Sequence, residues 1–569
     1  MGRAAKRSGG VGNSGVENRG RLRWTAMLGL VCMGFLAACN DGGPPPPKTD
    51  RGTAASDAAA SALSGVRLEI VSGSENKSLE PMVKAFGARM GADIQMRYMG
   101  SVDIALELEK GTAVDFDAAW PANSLWLVLG DRQKALKHDK SIMRSPVVFG
   151  VKTSVAERLG WIGKPDVTVD DVLTAAESGA LSFAMTSATQ SNSGASAYFG
   201  FLSAMAGSPD VLAQEHLDSE DVRAQVRRLL KTVDRSSGSS GWLKDLFLSQ
   251  YDRFDAMVNY EVLIIEANRE LISRGEEPLY AVYPVDGMTI ADSPLAYVDK
   301  GDAAKEQLFQ ALQEHLLSAE VQAEIGSTGR RTGLLGLGTG NLDPTIFRQE
   351  WGIDPERVIS PIPVPGETVV RQALDLYQTA LRKPSLTVYV LDFSGSMKGQ
   401  GEQQLKQAMA TLLDQDVARK YFLQPSQDDV HMVIPFDGKP RGMWVRKGND
   451  PAELGGLLAE IRRTDAGGGT NIYAAAGAAM QQLQPYEDRM RDFFPAVILM
   501  SDGKSKGSMG ELRARLESLS FGYDVPIFSI AFGAADETQL KEISEATSAR
   551  VFDGKKDLVK AFRSAKGYN

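Results

Sequence analysis

The chain has 569 residues, with 63 Lys and Arg against 72 Asp and Glu and a formal net charge of −9. This length exceeds what one hydrophobic core usually serves, so two to four domains are expected. The acidic balance argues against a nucleic-acid-binding surface, and we expect no nucleic acid among the partners. Both cysteines, Cys32 and Cys39, lie near the N-terminus, which excludes disulfides and thiolate metal sites from the rest of the chain.

The first 38 residues have the pattern of a targeting segment. Basic residues precede an apolar run at 24–38. Fifteen residues rise about 22 Å as a helix, less than a hydrocarbon core of ~30 Å. The run is therefore typical of a signal peptide, residues 1–38, rather than of a membrane span.

The apolar run ends in "LAAC", Leu36–Cys39, which resembles the lipobox of bacterial lipoproteins. The resemblance implies that Cys39 is lipidated, becomes the first mature residue and anchors the chain to a membrane outside the cytoplasm. Secretion without lipidation is the alternative. Residues 39–65 are rich in Pro and Ala, which predicts an extended tether.

Strand and helix patterns alternate in the next region, residues 66–350. Strand patterns occur at 66–73, 92–100 and 114–121, and a helical pattern occupies 101–111. Such alternation predicts a parallel sheet with helices on both faces, whose ligands bind beyond the carboxyl ends of the strands.

Five stretches of this region carry a further signal, at 72–81, 186–207, 256–268, 283–298 and 327–333. Together they resemble extracellular solute-binding proteins. The resemblance implies an α/β fold of the bilobal type II periplasmic-binding kind, with two lobes joined by crossing strands and a small solute between them.

Three helix starts are expected to converge on the cleft of this fold. Hydroxyls and free backbone N–H groups at helix N-termini suit an oxyanion or a carboxylate, which favours an anionic solute. Helix capping is the alternative role of the Ser and Asn side chains, and the nearby Glu75, Glu261 and Asp286 oppose a bare anion. The candidate solute ligands are Ser74, Ser101, Asn192, Ser193, Asn259 and Asp286.

Residues 351–384 have the pattern of a linker followed by a helix. Val370, Leu374, Tyr377 and Leu381 fall on one helical face, which predicts that the helix packs on one of the domains.

The last region, residues 385–569, returns to alternating α/β patterns. Near-continuous apolar strands predict a doubly wound, Rossmann-like sheet that is covered on both faces. The predicted strands are 386–392, 430–436, 496–501, 525–532 and 550–552.

Polar side chains follow two of these strands. Asp392, Ser394 and Ser396 alternate after the first strand and therefore point the same way, and Asp502 follows a later strand. Thr470 follows a run of three glycines. All five offer hard oxygen ligands, which suit Mg²⁺ or a similar cation such as Mn²⁺. For each residue alone, a turn-capping role is the alternative.

The order Asp-x-Ser-x-Ser, distant Thr, then Asp before Gly resembles the metal-ion-dependent adhesion site of von Willebrand factor A domains. The resemblance implies direct metal binding by Ser394 and Ser396. Thr470 would bind directly in one loop state, and Asp392 or Asp502 through water. A further position would accept the Asp or Glu side chain of a partner protein, because a cation with few direct carboxylates keeps net positive charge.

Enzyme motifs in the chain are incomplete. The G-x-S-x-G pattern at 503–507 lacks a later histidine, since the last histidine is His431. We therefore expect a non-catalytic, lipid-anchored binding protein that combines a solute-binding-like domain with a Mg²⁺-dependent docking domain. The alternative is the solute receptor of an ABC transporter, with the C-terminal domain acting only in assembly.

Overall fold

The structure is a computed structural model that describes residues 63–333, 343–354, 359–502, 504–533 and 535–567. The predicted signal peptide, Cys39 and nearly all of the predicted tether lie outside the described residues. Within the described ranges, every helix lacks the length or the apolar character that a membrane span requires.

The first lobe is built on a five-stranded sheet. Its strands are β1 (Arg67–Ser72), β2 (Asp93–Tyr98), β3 (Ala118–Trp120), β4 (Leu136–Ser141) and β11 (Pro294–Val298). They pair in the order β2-β1-β3-β11-β4, and β11 runs antiparallel to both of its neighbours. The helices of this lobe are Glu80–Arg89, Ser101–Leu108, Ser124–Gly130, Ala303–Leu316 and Ala319–Ser327, with 3-10 turns at Ser74–Leu79 and Gly111–Ala113.

The second lobe is built on a mixed six-stranded sheet. Its strands are β5 (Ser145–Lys152), β6 (Phe183–Thr186), β7 (Val233–Ser237), β8 (Ala256–Tyr260), β9 (Leu279–Val282) and β10 (Thr289–Ala291). The order is β10-β5-β8-β6-β7, and β9 also pairs with β5. Its helices are Thr153–Arg158, Val169–Glu177, Asn192–Met205, Gln214–Asp218, Glu220–Lys231, Ser240–Ser249 and Glu261–Ser273, with 3-10 turns at Tyr251–Arg253 and Gln349–Trp351.

The chain crosses between the lobes from β4 to β5 and again from β10 to β11. These crossings give the bilobal arrangement that the sequence predicts. The helix starts expected at the cleft are also observed, at Ser74, Ser101 and Asn192.

A connecting helix, Glu367–Leu376, continues as a π-helical turn, Tyr377–Leu381. The apolar residues predicted to share one face are buried in the hydrophobic cluster of the second lobe. The predicted packing of this helix on a neighbouring domain is therefore confirmed.

The C-terminal domain has a six-stranded sheet. Its strands are β12 (Ser385–Asp392), β13 (Val430–Phe436), β14 (Trp444–Lys447), β15 (Phe494–Ser501), β16 (Ile527–Ala531) and β17 (Val551–Asp553), in the order β14-β13-β12-β15-β16-β17. All pairs are parallel except β13 with β14. The helices are Gln400–Leu413, Gln415–Lys420, Pro451–Arg463, Ile472–Gln482, Met509–Glu517, Glu537–Ala546 and Leu558–Lys566, with 3-10 turns at Gly395–Met397 and Gln484–Asp492.

Apolar side chains of β12 alternate between two cores. Val388 and Val390 belong to the cluster on one face of the sheet, and Tyr389 and Leu391 to the cluster on the other. All five predicted strands are confirmed. The sequence prediction missed β14, because this edge strand has only four residues and two of them are charged.

The amino ends of the central strands face the second lobe. Phe494, the first residue of β15, is buried in the cluster of the second lobe. Beside it, Arg253 Nη1 lies 3.0 Å from Asp524 Oδ1, and Arg235 Nη1 donates to Asp524 O at 3.4 Å. The carboxyl ends of β12 and β15 therefore lie at the edge of the sheet away from this contact.

Candidate functional site

Two neighbouring strands bring the predicted oxygen donors to one edge of the C-terminal sheet. Leu391 of β12 pairs with Met500 of β15, so the residues that follow, Asp392 and Ser501, end these strands side by side. Asp502 comes next along the chain. Residues far apart in sequence thus meet because parallel strands end at a common edge.

The side chains at this edge form a connected oxygen cluster. Ser394 Oγ lies 3.1 Å from Ser396 Oγ, and Ser396 Oγ donates to Asp502 Oδ1 at 2.8 Å. Asp392 Oδ1 accepts from Ser394 N at 2.8 Å. Four of the five predicted metal ligands are therefore linked directly by hydrogen bonds.

The glycine-rich loop before Thr470 packs on this cluster. Gly395 N donates to Gly468 O at 3.0 Å, and Gly467 N donates to Phe393 O at 2.8 Å. Gly468 has a backbone φ of +85°, a conformation that residues other than glycine rarely adopt. Thr470 O accepts from Lys506 N at 3.1 Å, which ties its loop to the segment after Asp502.

Both carboxylates at this site are costly to ionise without a cation. Asp392 is fully buried and Asp502 is nearly so. Burial raises the pKa of Asp392, and the charge of Asp502 raises it further. Burial likewise raises the pKa of Asp502. A bound cation would offset this penalty.

The donor set fits a hard cation. The five side chains offer two carboxylates and three hydroxyls, which are the ligands of Mg²⁺ and Mn²⁺ rather than of softer metals. Over the residues that the structure describes, no group of three or more His, Cys, Asp or Glu side chains is placed so that it could hold a metal ion.

Sequence reasoning missed one member of the cluster, Ser501. Its hydroxyl donates to Asp392 Oδ2 at 2.6 Å and is fully buried. The available signal was its position immediately before Asp502, at the end of an apolar strand where a buried hydroxyl needs a partner.

The predicted solute ligands of the first lobe form contacts within the protein. Ser74 Oγ accepts from Ser239 Oγ at 2.7 Å and from Gly241 N at 3.0 Å. Ser101 Oγ accepts from Ala122 N at 3.1 Å. Ser74 therefore joins the two lobes, whereas Ser101 fixes the backbone that follows β3.

The candidates of the second lobe are buried in a polar network. Asn192 Oδ1 accepts from Trp126 Nε1 at 2.7 Å. Ser193 Oγ lies 2.8 Å from Ser240 Oγ, and Asn259 Nδ2 donates to Ser240 O at 2.9 Å. The structure thus brings Ser193 and Asn259 together at one serine.

Asp286 lies apart from that network. Its Oδ1 accepts from Val169 N at 2.9 Å, at the start of the helix Val169–Glu177. Burial raises the pKa of Asp286. Asp286 thus accepts from the first backbone N–H of this helix, whose N-cap is Thr168.

Two cavities lie beside these residues. A cavity of about 20 Å³ between the lobes is lined by Glu75, Tyr260 and Arg330 among others. A larger cavity of about 1210 Å³ is lined by both lobes and by the C-terminal domain, and it includes Ser74 but none of the other five candidates.

Two protein families match parts of the chain. Residues 68–331 match the family of bacterial extracellular solute-binding proteins, and residues 388–561 match the von Willebrand factor type A domain. Among curated proteins, none matches the chain.

Solved structures resemble the two regions separately. The sulfate-binding protein SubI from Mycobacterium tuberculosis H37Rv is 16% identical, over 53% of this chain and 92% of that chain, with a TM-score of 0.35. The ferric binding protein from Campylobacter jejuni is 13% identical, over 55% and 98%, with a TM-score of 0.39. A von Willebrand factor type A structure from Catenulispora acidiphila is 20% identical, over 33% of this chain and 44% of that chain, with a TM-score of 0.27. The chain spans less than half the length of that last structure.

The family matches and the sheet topology agree on the fold class. The protein has a periplasmic-binding-protein-like region, followed by a von Willebrand factor A domain with a central sheet of mainly parallel strands.

Proposed function

We propose that the chain is an extracytoplasmic binding protein whose von Willebrand factor A domain docks an acidic partner protein through a bound divalent cation. The observation that supports this most directly is the chain of contacts from Ser394 through Ser396 to Asp502, with Asp392 alongside. It joins two strand ends and offers oxygen ligands only.

In this proposal the cation, Mg²⁺ or Mn²⁺, is held by the side chains of Ser394, Ser396, Thr470, Asp392 and Asp502. The ion would supply positive charge for a carboxylate of the partner. Ser396 is exposed, whereas Asp392 is buried, so the hydroxyl side of the cluster is the side that a partner can approach.

Binding without catalysis is the proposed activity. Solute-binding proteins and von Willebrand factor A domains are typically non-catalytic. In the described part of the chain, no hydrogen bond is found between a histidine and the oxygen cluster.

We further propose that Cys39 carries the lipid anchor, on the basis of the lipobox-like "LAAC" segment. The solute-binding family is typically extracytoplasmic, which agrees with this placement. The solved relatives bind sulfate or ferric iron according to their names. For this chain, a small solute is the proposed class of ligand of the bilobal region.

Manganese binding tests the metal proposal directly. We expect the full-length chain in detergent to bind one Mn²⁺ at the site, measured from the loss of free-ion signal in electron paramagnetic resonance, and Mg²⁺ to displace it. Asp502→Asn should abolish this binding. The matched control is Asp465→Asn, an exposed carboxylate on the neighbouring loop, which should bind like the wild type. Equal binding by wild type and Asp502→Asn would reject the metal site.

Docking requires a second measurement. Partners captured by the wild type in Mg²⁺ should be released by EDTA and should not bind to Asp502→Asn. Capture that survives both treatments would reject a metal-dependent docking role even if the cation binds.

A further inference from the structure

The last helix of the C-terminal domain, Leu558–Lys566, contacts both lobes of the solute-binding-like region. Arg563 Nη2 lies 2.7 Å from Asp103 Oδ1 in the first lobe. The same nitrogen donates to Thr189 O in the second lobe at 2.9 Å. Arg563 is only 5% exposed, so one buried guanidinium links the two lobes.

Neighbouring contacts strengthen this link. Gln190 Nε2 donates to the backbone oxygen of Arg563, and Lys560 Nζ lies 3.5 Å from Glu107 Oε1 in the first lobe. Gln190 O also accepts from Val102 N at 3.2 Å, which joins the lobes directly under the helix. The helix therefore lies across the line along which the lobes would part.

The connecting helix makes a second bridge. Arg371 Nη2 donates to Glu109 Oε1 at 2.8 Å and to Leu129 O at 3.1 Å, both in the first lobe. From the second lobe, Tyr198 OH donates to Ala373 O at 2.9 Å. We call the connecting helix and the last helix the two straps.

The two lobes touch beneath the straps. Ser74 Oγ accepts two hydrogen bonds from the opposite lobe, from Ser239 and Gly241. A cavity of about 20 Å³ between the lobes has room for about one water molecule, and the cavity of about 1210 Å³ is lined by both lobes and by the last helix. Wider separation of the lobes would be a hinge motion of the kind that bilobal proteins undergo.

Separation of the lobes must break the bridge at Arg563. A buried charge that loses its partner and its carbonyl acceptor keeps its desolvation penalty without compensation, so this contact resists opening more than a surface ion pair would. The connecting helix precedes β12 and the last helix follows β17, so both straps join the lobes to the C-terminal domain.

We propose that the two straps latch the lobes together: the last helix of the C-terminal domain, through Arg563, and the connecting helix that leads into that domain, through Arg371, hold the two lobes in this arrangement. The lobes separate only when the last helix releases Asp103 or Thr189. A receptor that opens and closes freely needs no such bridge. The proposal goes beyond metal-dependent docking and does not depend on it.

The distance between the lobes tests the latch without any ligand. Spin labels on Ala88→Cys in the first lobe and Ala224→Cys in the second, both exposed, report this distance by pulsed electron paramagnetic resonance. The measurement uses the full chain with Cys32 and Cys39 replaced by Ser. We expect Arg563→Ala combined with Arg371→Ala to lengthen the mean distance by more than about 2 Å, the scale of hinge rearrangements.

The matched control is Arg253→Ala. It removes an ion pair between the second lobe and the C-terminal domain, with Asp524, but no bridge between lobes. Its distance distribution should equal that of the wild type. Asp103→Asn replaces the other side of the bridge without changing side-chain shape, and it should lengthen the distance even if the double variant fails to fold. An unchanged distance in Asp103→Asn, or equal lengthening in Arg253→Ala, would overturn the proposal.

Discussion

Ser501 Oγ donates a 2.6 Å hydrogen bond to Asp392 Oδ2, which joins the carboxyl ends of β15 and β12. Asp392 Oδ1 accepts from Ser394 N, so both oxygens of this buried carboxylate are held. Ser501 therefore fixes the orientation of a proposed metal ligand without being one. Removal of such a supporting group typically costs about 10- to 100-fold in metal affinity.

Ser501→Ala should weaken cation binding. The variant removes a side-chain donor that crosses from β15 to Asp392, and comparable losses reduce metal affinity about 10-fold or more. Titration with Mn²⁺ at neutral pH measures the change. Ser508→Ala is the control, because Ser508 is exposed and its side chain caps no helix. Wild-type affinity in Ser501→Ala would contradict the role assigned to Ser501.

Glu75→Gln should change how stability depends on pH. Burial raises the pKa of Glu75 from 4.5 to about 7. As pH rises from 4.5 to 7, the unfolded chain releases this proton while the folded chain keeps it, so the free energy of unfolding falls by about 3 kcal/mol. Glu75→Gln should lose this fall, measured by urea unfolding at pH 4.5 and pH 7.5. Glu314→Gln, at an exposed position of the same lobe, should behave like the wild type; an unchanged pH slope in Glu75→Gln would count against the assignment.

His431 should act in the opposite direction. Burial lowers its pKa from 6.5 to about 4. Between these values the unfolded chain binds a proton that the folded chain does not, so stability rises with pH across this window by about 3 kcal/mol. His431→Phe keeps a ring against Tyr389 and should flatten the rise, measured by urea unfolding at pH 4.5 and pH 7. His216→Gln, at a partly exposed histidine, is the control, and a full wild-type slope in His431→Phe would refute the prediction.

The fold could be read from the sequence because its signals are local. Buried parallel strands such as β12 and β15 are continuous apolar runs, and the donors at their ends follow at fixed spacing. The contact between Ser394, Ser396 and Asp502 follows from that topology, since neighbouring parallel strands end at one edge.

The remaining features depend on tertiary contacts that leave no local pattern. Arg563 has the spacing of an ordinary charge near a helix C-terminus, and nothing beside it in the sequence indicates Asp103 as its partner. In the same way, a serine at a helix start has one appearance whether it meets a solute or, as Ser74 does, the opposite lobe.

Strand β12 separates the oxygen cluster from the contact between the C-terminal domain and the second lobe. Its first residue, Ser385, lies at the end near the second lobe, and its last, Asp392, belongs to the oxygen cluster. Seven residue steps of about 3.3 Å place roughly 23 Å of stiff strand between them. If a partner binds at the oxygen cluster as proposed, a rigid displacement of β12 would connect that event to the contact between the C-terminal domain and the second lobe.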